Sequence, residues 1–417
     1  MENLIPYIKL IILALACLVT GVCTLNRKWY VNLPVFLICI AGETFMAYLF
    51  FPAYALWPAC GSVAIFAFST AWEHLKPSGR KENKSPIRLP VISGVPYRHL
   101  EFYYYYSNFL VYGGAGSGKT KSIGKWLLEE YIRLGFAGFI YDFKDVDYTQ
   151  TAYNLTKKYG YPHKFYYVSF DKPERSYRFN PLKVVKDRTE LMQLMEDVLL
   201  ALLPKGEKQN EWVAGGLGIL RGVAFRFWDE FPEYCTLPHI MAFIMTASTR
   251  QLSIFLQQNL VAEMMAGAYL KAEGSEKTQA SYLSTLCNNL STISQNEEIA
   301  YILSGDDFDF NLIDLEDPKL FAISNNFSKN SVYAPVIGML MSISTRQFTM
   351  QNKVPFVYFL DEMTTVNIKN FETLPSVLRE YKVGFVLLTQ SGAKLEALYG
   401  KLDRASVEAN FGIQFSG

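Results

Sequence analysis

A glycine-rich segment, GGAGSGKT at positions 113–120, constrains the fold of this chain more than any other feature. It fits the pattern G-x-x-x-x-G-K-[ST], in which backbone amides and a lysine surround phosphate groups. The apolar run NFLVY at 108–112 precedes it, and a stretch with helical periodicity follows it from Lys121 to Gly135. A loop of this composition between a strand and a helix predicts an α/β fold with a mainly parallel sheet.

The residue types in this loop suit phosphate binding. Gly113, Gly116 and Gly118 let backbone amides converge on phosphate oxygens without side-chain clashes, at the positive end of a helix dipole. Lys119 is predicted to neutralise the outer phosphates, and Thr120 to offer its hydroxyl to Mg²⁺. We therefore expect ATP and Mg²⁺ as cofactors, with the nucleotide held by Gly113, Gly114, Ala115, Gly116, Ser117, Gly118, Lys119, Thr120 and Lys121.

A second apolar run, VPFVYFLDEM at 354–363, ends in two adjacent carboxylates, as a buried parallel strand ends at its functional edge. Asp361 is predicted to hold Mg²⁺ through water. Glu362 is placed to polarise the attacking water as a general base. Together with the glycine-rich loop, this pair predicts an ATPase in which Lys119 and Glu362 are catalytic. An exposed pair of acids at a strand end is the alternative.

A third apolar run, VGFVLLTQS at 383–391, ends in Gln390. In a parallel sheet this strand is expected to lie beside the strand that carries Asp361 and Glu362. Gln390 is then predicted to sense the terminal phosphate or to orient the attacking water. The alternative is an ordinary amide at a strand end.

Three apolar segments near the N-terminus, 4–25, 33–51 and 53–71, each approach the ~20 residues that a helix needs to cross a membrane. We expect residues 1–72 to form a transmembrane region of about three helices, and residues 73–96 to form a basic linker. Buried helices of a soluble protein are the alternative.

The positions of basic residues predict the orientation in the membrane, because Lys and Arg accumulate in cytoplasmic connections. The first short connection and the segment after the third apolar stretch both contain them: Arg27, Lys28, Lys76, Arg80, Lys81, Lys84 and Arg88. Three spans with an external N-terminus place both basic segments in the cytoplasm. Two spans with an internal N-terminus are the alternative.

The charge balance limits how the chain binds nucleic acid. Forty basic and 39 acidic residues leave a formal net charge of +1. This argues against a protein that coats nucleic acid through a uniformly basic surface. Any contact with DNA is expected to be local.

Further segments resemble the TraG/TraD-like conjugative coupling proteins, which are type IV secretion ATPases related to the FtsK/HerA group. The resemblance covers most of residues 107–417. Besides the two nucleotide motifs, the resemblance rests on these segments: FIYDFKD with Asp142 and Lys144, FNPL at 179–182, LPSVLREYKVG with Arg379, the LLTQS strand end, and Asn410.

This resemblance implies a RecA-like P-loop domain and an ATPase stimulated by DNA. It also implies recruitment and translocation of DNA, or of a relaxase–DNA complex, during conjugation. The expected partners are DNA bound without sequence specificity, relaxase or relaxosome proteins, type IV secretion channel components, the membrane and further copies of the chain in a hexamer. The expected location is the bacterial inner membrane, crossed several times, with the motor domain in the cytoplasm.

The spacing of the motifs requires an insertion, because 242 positions separate Lys119 from Asp361. Residues 187–304 supply it, with helical periodicity and almost no strand pattern. The resemblance identifies this segment as the all-α domain that meets the relaxase–DNA complex. The nucleotide-binding domain then consists of residues 97–186 and 305–417. We expect it to continue beyond the given C-terminus, as in the family.

A ring places each nucleotide between one subunit's loop and an arginine of the neighbour. Arg379, on a short helix near the expected edge of the sheet, is the first candidate for this catalytic arginine, and Arg346 is the second. An ordinary surface or helix-capping arginine is the alternative for either. Two other functions remain open: a chromosome translocase of the FtsK/HerA type, and a docking receptor that uses ATP for assembly.

Overall fold

The computed structural model describes residues 6, 9, 29–54, 60, 63, 85–91, 99–114, 116–203 and 210–417. The chain divides into two compact units, Met1–Lys84 and Ser85–Gly417. In the first unit, helix α1 spans Trp29–Phe50 and a 3₁₀ turn follows at Pro52–Tyr54.

Helix α1 covers most of the second predicted membrane segment. The predicted segments 4–25 and 53–71, and most of the predicted linker, lie outside the described residues. Within the part of the chain that the structure describes, no helix is both long and apolar enough to cross a membrane.

The second unit is built on a seven-stranded sheet with the order β5-β6-β4-β7-β8-β3-β9. Every neighbouring pair in this sheet is parallel, which confirms the predicted α/β class. Its strands are β3 (Phe109–Tyr112), β4 (Ala137–Asp142), β5 (Lys164–Ser169), β6 (Lys319–Ser324), β7 (Phe356–Leu360), β8 (Val383–Thr389) and β9 (Ile413–Ser416). The strands β1 (Ile87–Pro90) and β2 (His99–Phe102) form a separate antiparallel pair.

The central strands are apolar on both faces because helices cover both sides of the sheet. Every residue of β4, β7 and β8 is buried. Phe139, Tyr358 and Phe385 belong to the core on one face, while Ile140 and Phe359 belong to the core on the other. The helices that follow or precede these strands are α2 (Lys125–Arg133), α3 (Asp147–Tyr159), α12 (Asn330–Thr345), α13 (Leu374–Glu380), α14 (Gly392–Tyr399) and α15 (Lys401–Ala409).

Between β5 and β6 the described chain is helical. The helices are α4 (Arg188–Leu202), α5 (Glu211–Glu230), α6 (Leu237–Thr246), α7 (Thr249–Gln257), α8 (Leu260–Met265), α9 (Gly267–Lys271), α10 (Glu276–Ser294) and α11 (Glu297–Leu303). Side-chain oxygens cap several of their first turns, as short polar residues do at helix N-termini. The capping residues are Asp187, Asn210, Thr236, Ser248, Asn259 and Asn296.

Candidate nucleotide site

The glycine-rich loop leaves the carboxyl end of β3, and the ends of two neighbouring strands lie beside it. Tyr112 pairs with Thr389 at the end of β8, and the backbone N–H of Gly113 donates to the Thr389 carbonyl (3.2 Å). Strand β7, which ends immediately before Asp361, pairs with the other side of β8. The parallel topology therefore brings the loop, Asp361 and Gln390 to one edge of the sheet.

The loop requires glycine at defined positions. Gly116 and Gly118 have φ angles of +80° and +81°, which L side chains rarely adopt. Ala115 lies outside the described residues. After Lys119, residues Thr120–Gly124 form a π-helical turn that precedes α2, and α2 ends at Arg133. The helix predicted from Lys121 to Gly135 thus begins with a wider turn and ends two residues earlier.

Lys119 and Glu362 form a buried ion pair across the site. Lys119 is only 7% exposed and Glu362 only 2%. Glu362 has left-handed backbone angles, φ 44° and ψ 48°, which are uncommon for a residue other than glycine. The Thr365 amide (2.9 Å) and hydroxyl (2.7 Å) both donate to the Glu362 carbonyl and hold this conformation. Such backbone strain concentrates at functional sites.

Asp361 is completely buried, and neither carboxylate oxygen has a hydrogen-bond partner among the described residues. Burial raises the pKa of Asp361 to about 7, while the positive charge of Lys144 acts in the opposite direction. A buried carboxylate without a donor is suited to a cation or to cation-bound water.

The described residues contain no group of three His, Cys, Asp or Glu side chains able to hold a metal unaided. Mg²⁺ typically combines one or two carboxylates with substrate phosphates and water. Asp361 and the Thr120 hydroxyl fit this kind of site, because Thr120 directly follows Lys119, the predicted phosphate-binding lysine, at the same edge of the sheet.

Asp142, to which sequence reasoning assigned no catalytic or metal-binding role, ends the neighbouring strand β4 and is also completely buried. Its Oδ2 accepts a hydrogen bond from the Thr149 amide (2.8 Å), whereas no described residue donates a hydrogen bond of normal geometry to Oδ1. Burial raises the pKa of Asp142 to about 6, while hydrogen bonding by Thr149 and by the Lys144 amide lowers this pKa. In the sequence, this position is indicated by the D-x-K pattern, whose aspartate ends an apolar strand.

Gln390 directly follows β8 and is half-buried. Its neighbour Thr389 accepts the hydrogen bond from Gly113, so Gln390 begins the segment that leaves the sheet beside the glycine-rich loop. The side chain is thus at the correct edge of the sheet for the predicted contact with phosphate or water.

The two candidate arginines lie elsewhere. Arg379 is exposed in the last turn of α13, just before β8 begins, and so lies at the amino ends of the strands, opposite the glycine-rich loop. The sequence predicted that Arg379 lies near an outermost strand of the sheet. This is wrong, because α13 precedes β8, an interior strand between β7 and β3.

Arg346 is not available as a free side chain. Its guanidinium pairs with Asp197 of α4 and donates to Gln193 (2.7 Å). Lys369 also pairs with Asp197 (3.1 Å), so the carboxylate joins the inserted helices to two segments of the sheet domain. In this arrangement of the chain Asp197 holds the Arg346 guanidinium, and the role of Arg346 as the second catalytic candidate remains a prediction.

Comparisons with known proteins agree with this architecture. The family described as "Type IV secretory system Conjugative DNA transfer" matches residues 77–414. The bacterial conjugative coupling protein TrwBdeltaN70, in complex with sulphate, is similar with a TM-score of 0.59 and 17% identity, covering 79% of this chain and 73% of that chain. The plasmid coupling protein TrwB in complex with ADP and Mg²⁺ gives a TM-score of 0.58 and 18% identity, covering 79% and 72%.

TrwB in complex with the ATP analogue ADPNP gives a TM-score of 0.58 and 17% identity, covering 79% of this chain and 73% of that chain. At these identities the structural similarity shows a shared fold. No curated protein matches the sequence significantly.

Proposed function

The chain belongs to the type IV secretory system family for conjugative DNA transfer, and from this premise we propose that it is a membrane-anchored, DNA-stimulated ATPase. It couples ATP hydrolysis to the recruitment and translocation of DNA or of a relaxase–DNA complex. The resemblance to TraG/TraD-like coupling proteins is confirmed by the family match. The remaining steps concern the residues that perform the reaction.

Binding of the nucleotide is assigned to the loop at residues 113–121. The positive φ angles of Gly116 and Gly118 allow consecutive amides to point toward phosphate oxygens. The Lys119 ammonium neutralises the outer phosphates. Bound Mg²⁺ would supply further positive charge against the phosphates, held by Thr120 and, through water, by Asp361.

Hydrolysis is assigned to Glu362, with Gln390 as a second group near the terminal phosphate. In the structure, Glu362 is paired with Lys119. Phosphate oxygens offer Lys119 an alternative anionic partner, so nucleotide binding frees the Glu362 carboxylate to accept a proton from the attacking water. When Lys119 changes its partner from Glu362 to the phosphates, the substrate is bound and the base is activated in the same step.

The wider assignments rest on the sequence and on family membership. Residues 187–304 serve as an all-α domain that meets the cargo, and residues 97–186 with 305–417 serve as the motor. Residues 1–72 anchor the chain in the bacterial inner membrane with the motor in the cytoplasm, and residues 73–96 are the linker. The motor works as a homohexamer, with DNA, relaxase proteins and the secretion channel as partners.

One observation carries the proposal: a buried Lys119–Glu362 pair lies beside the unpartnered Asp361 carboxylate at the edge of the sheet that holds the glycine-rich loop. The test measures phosphate release by the purified full chain with Mg²⁺ and ATP, alone and with single- or double-stranded DNA. We expect turnover that increases with DNA. Nucleotide binding with no turnover under any of these conditions would contradict the proposal and favour a docking receptor.

A further inference from the structure

The carboxylates of Asp142 and Asp361 lie side by side at the ends of neighbouring strands. Tyr141 of β4 pairs with Leu360 of β7, and the Asp361 amide donates to the Tyr141 carbonyl (3.0 Å). Neighbouring strands are ~4.8 Å apart, and residues in register project to the same face of a sheet. Asp142 and Asp361, one position further along each strand, therefore share a face.

That face is the one against which the phosphate loop's helix begins. Ile140 and Phe359, two residues before the carboxylates, belong to the core cluster on this face, as does Tyr148. A Cβ at Gly124, in the turn after the loop, would lie 2.2 Å from the Tyr148 hydroxyl. The turn that starts at Thr120 thus packs against the same layer as the two carboxylates.

Three oxygens of this acidic pair lack a hydrogen-bond partner among the described residues: Asp142 Oδ1 and both carboxylate oxygens of Asp361. Both side chains are 0% exposed. Leaving a buried charged acceptor unsatisfied costs ~1–3 kcal/mol or more, so such groups normally have a donor or cation. Asp361 has a proposed partner in hydrated Mg²⁺, whereas Asp142 Oδ1 has no assigned partner among the described residues.

We propose that Asp142 is a positioning residue of the Mg²⁺ site, whose Oδ1 accepts a hydrogen bond from a water molecule on the ion. The inference rests on the proposed ATPase function and extends it. Mg²⁺ retains several of its waters in proteins, and groups that bind those waters orient the ion. Asp142 would hold the hydrated ion from β4, while Asp361 holds it from β7.

A purely structural role for Asp142 is the competing explanation. Its Oδ2 already accepts from the Thr149 amide in the first turn of α3. The Thr149 hydroxyl is buried, has no hydrogen-bond partner among the described residues, and could turn to donate to Oδ1. In that case Asp142 stabilises the start of α3 and has no connection to the metal.

Asp142→Asn separates the two roles, because the asparagine oxygen can still accept from the Thr149 amide while its NH₂ group cannot accept from metal-bound water. The matched control is Asp145→Asn. Asp145 is exposed in the same loop and has a φ of 63°, a conformation that asparagine tolerates. Both variants remove one negative charge, so a general charge effect would appear in both.

The experiment measures binding of a fluorescent ADP analogue to the full chain while Mg²⁺ is titrated, with thermal unfolding as a check of folding. For Asp142→Asn we expect unchanged or tighter binding without Mg²⁺ and a ~10- to 100-fold higher Mg²⁺ concentration at half-saturation. Asp145→Asn should match the wild type. Asp142→Ser, a smaller uncharged variant, should reproduce the shift if the asparagine variant folds poorly.

Equal Mg²⁺ dependence in wild type and Asp142→Asn would overturn the proposal, as would weaker ADP binding by the same factor with and without Mg²⁺. Failure of the proposed function looks different. In that case the wild-type chain itself would bind no nucleotide or would hydrolyse none.

Discussion

At the scale of single residues, the site combines a buried ion pair with a strained backbone. Removing two charges from water is costly, and their attraction offsets this only while both partners are present. The Lys119–Glu362 pair joins residues 243 positions apart and is almost completely buried. Glu362 reaches Lys119 from a left-handed conformation. Both features favour a site that exchanges partners over one that is optimised for stability alone.

Lys119→Ala and Glu362→Gln should therefore have different effects. Without Lys119 the phosphates lose their positive partner, so we expect loss of ATP binding. With Glu362→Gln the ammonium becomes free for phosphate, so binding should persist or tighten, while turnover falls ~10²- to 10⁴-fold with the loss of the general base. Equilibrium binding of radiolabelled ATP and single-turnover phosphate release measure the two effects separately.

Two controls keep this comparison interpretable. Lys125→Ala removes a half-buried lysine that pairs with Asp147 (2.6 Å), and neither residue belongs to the loop at 113–121. This variant should bind ATP normally. Lys119→Ala leaves Glu362 as an unpaired buried charge, which costs ~3–5 kcal/mol. The double variant with Glu362→Gln should recover much of this stability. Equally poor ATP binding by both single variants, when both are folded, would refute the division of roles.

At the scale of secondary-structure elements, local patterns predicted the strands that carry the site. Fully buried parallel strands need apolar side chains on both faces, so β3, β7 and β8 are visible as short apolar runs that end in polar residues. The order of the strands was not predictable in the same way. The positions of β5 and β6 beyond β4, and of β9 beside β3, depend on contacts between residues that are distant in sequence.

The limits of local pattern are clearest at Arg379 and Arg346. The helix that carries Arg379 was predicted, but its position beside an interior strand follows from the strand order alone. Asp197, the partner of Arg346, is 149 positions away, on an inserted helix. Sequence periodicity shows which face of a helix is apolar, and it carries no information about such a distant polar partner.

The acidic ends of β4 and β7 predict how stability depends on pH. Burial raises the pKa of Asp142 to about 6 and that of Asp361 to about 7, both above the ordinary carboxyl value. The folded chain therefore binds protons more tightly than the unfolded chain. This favourable contribution is complete at low pH and is lost as pH rises through the two folded values. Without nucleotide and Mg²⁺, the unfolding temperature should fall between about pH 5 and pH 8.

Asp361→Asn tests the source of this dependence. Removing the buried charge should flatten the pH profile and raise the unfolding free energy at about pH 8 by ~1–3 kcal/mol, the cost of an unsatisfied buried group. The same variant should lose the stabilisation that Mg²⁺–ADP gives to the wild type. Asp403→Asn, at an exposed site on α15, should keep the wild-type profile. A profile of unchanged steepness in Asp361→Asn would contradict the assignment.

At the scale of the whole molecule, the inserted helices and the sheet domain are connected through Asp197. Its buried carboxylate pairs with Arg346 and with Lys369. Arg346 directly follows α12, and Lys369 lies in the segment after Asp361 and Glu362. This places a contact from the proposed cargo domain directly on the segment between the proposed base and α13. Lys369 lies on the segment that leads to α13, whose last turn carries Arg379.

In the proposed ring, Arg379 would act on the nucleotide of a neighbouring subunit. The side chain is exposed and makes no ion pair with the residues that the structure describes. It lies at the amino ends of the strands, and the ~3.4 Å rise per residue along the seven-residue strand β8 separates it from its own phosphate loop by roughly 20 Å. A role in catalysis therefore requires a nucleotide held by another copy of the chain.

Mixing two inactive variants tests this assignment. Arg379→Ala and Lys119→Ala should each be inactive. For Arg379→Ala we expect a loss of ~10³- to 10⁵-fold, because the arginine would stabilise the charge of the transition state in trans. When the two are mixed, some interfaces pair an intact phosphate loop with an intact arginine, so partial ATPase activity should return. Arg250→Ala, which changes an exposed arginine on α7, should remain active alone. If mixtures shown by native mass spectrometry to co-assemble recover no activity, Arg379 does not act between subunits, because the Arg379 of a Lys119→Ala subunit must be able to complete the site of an Arg379→Ala subunit, whose loop lysine is intact.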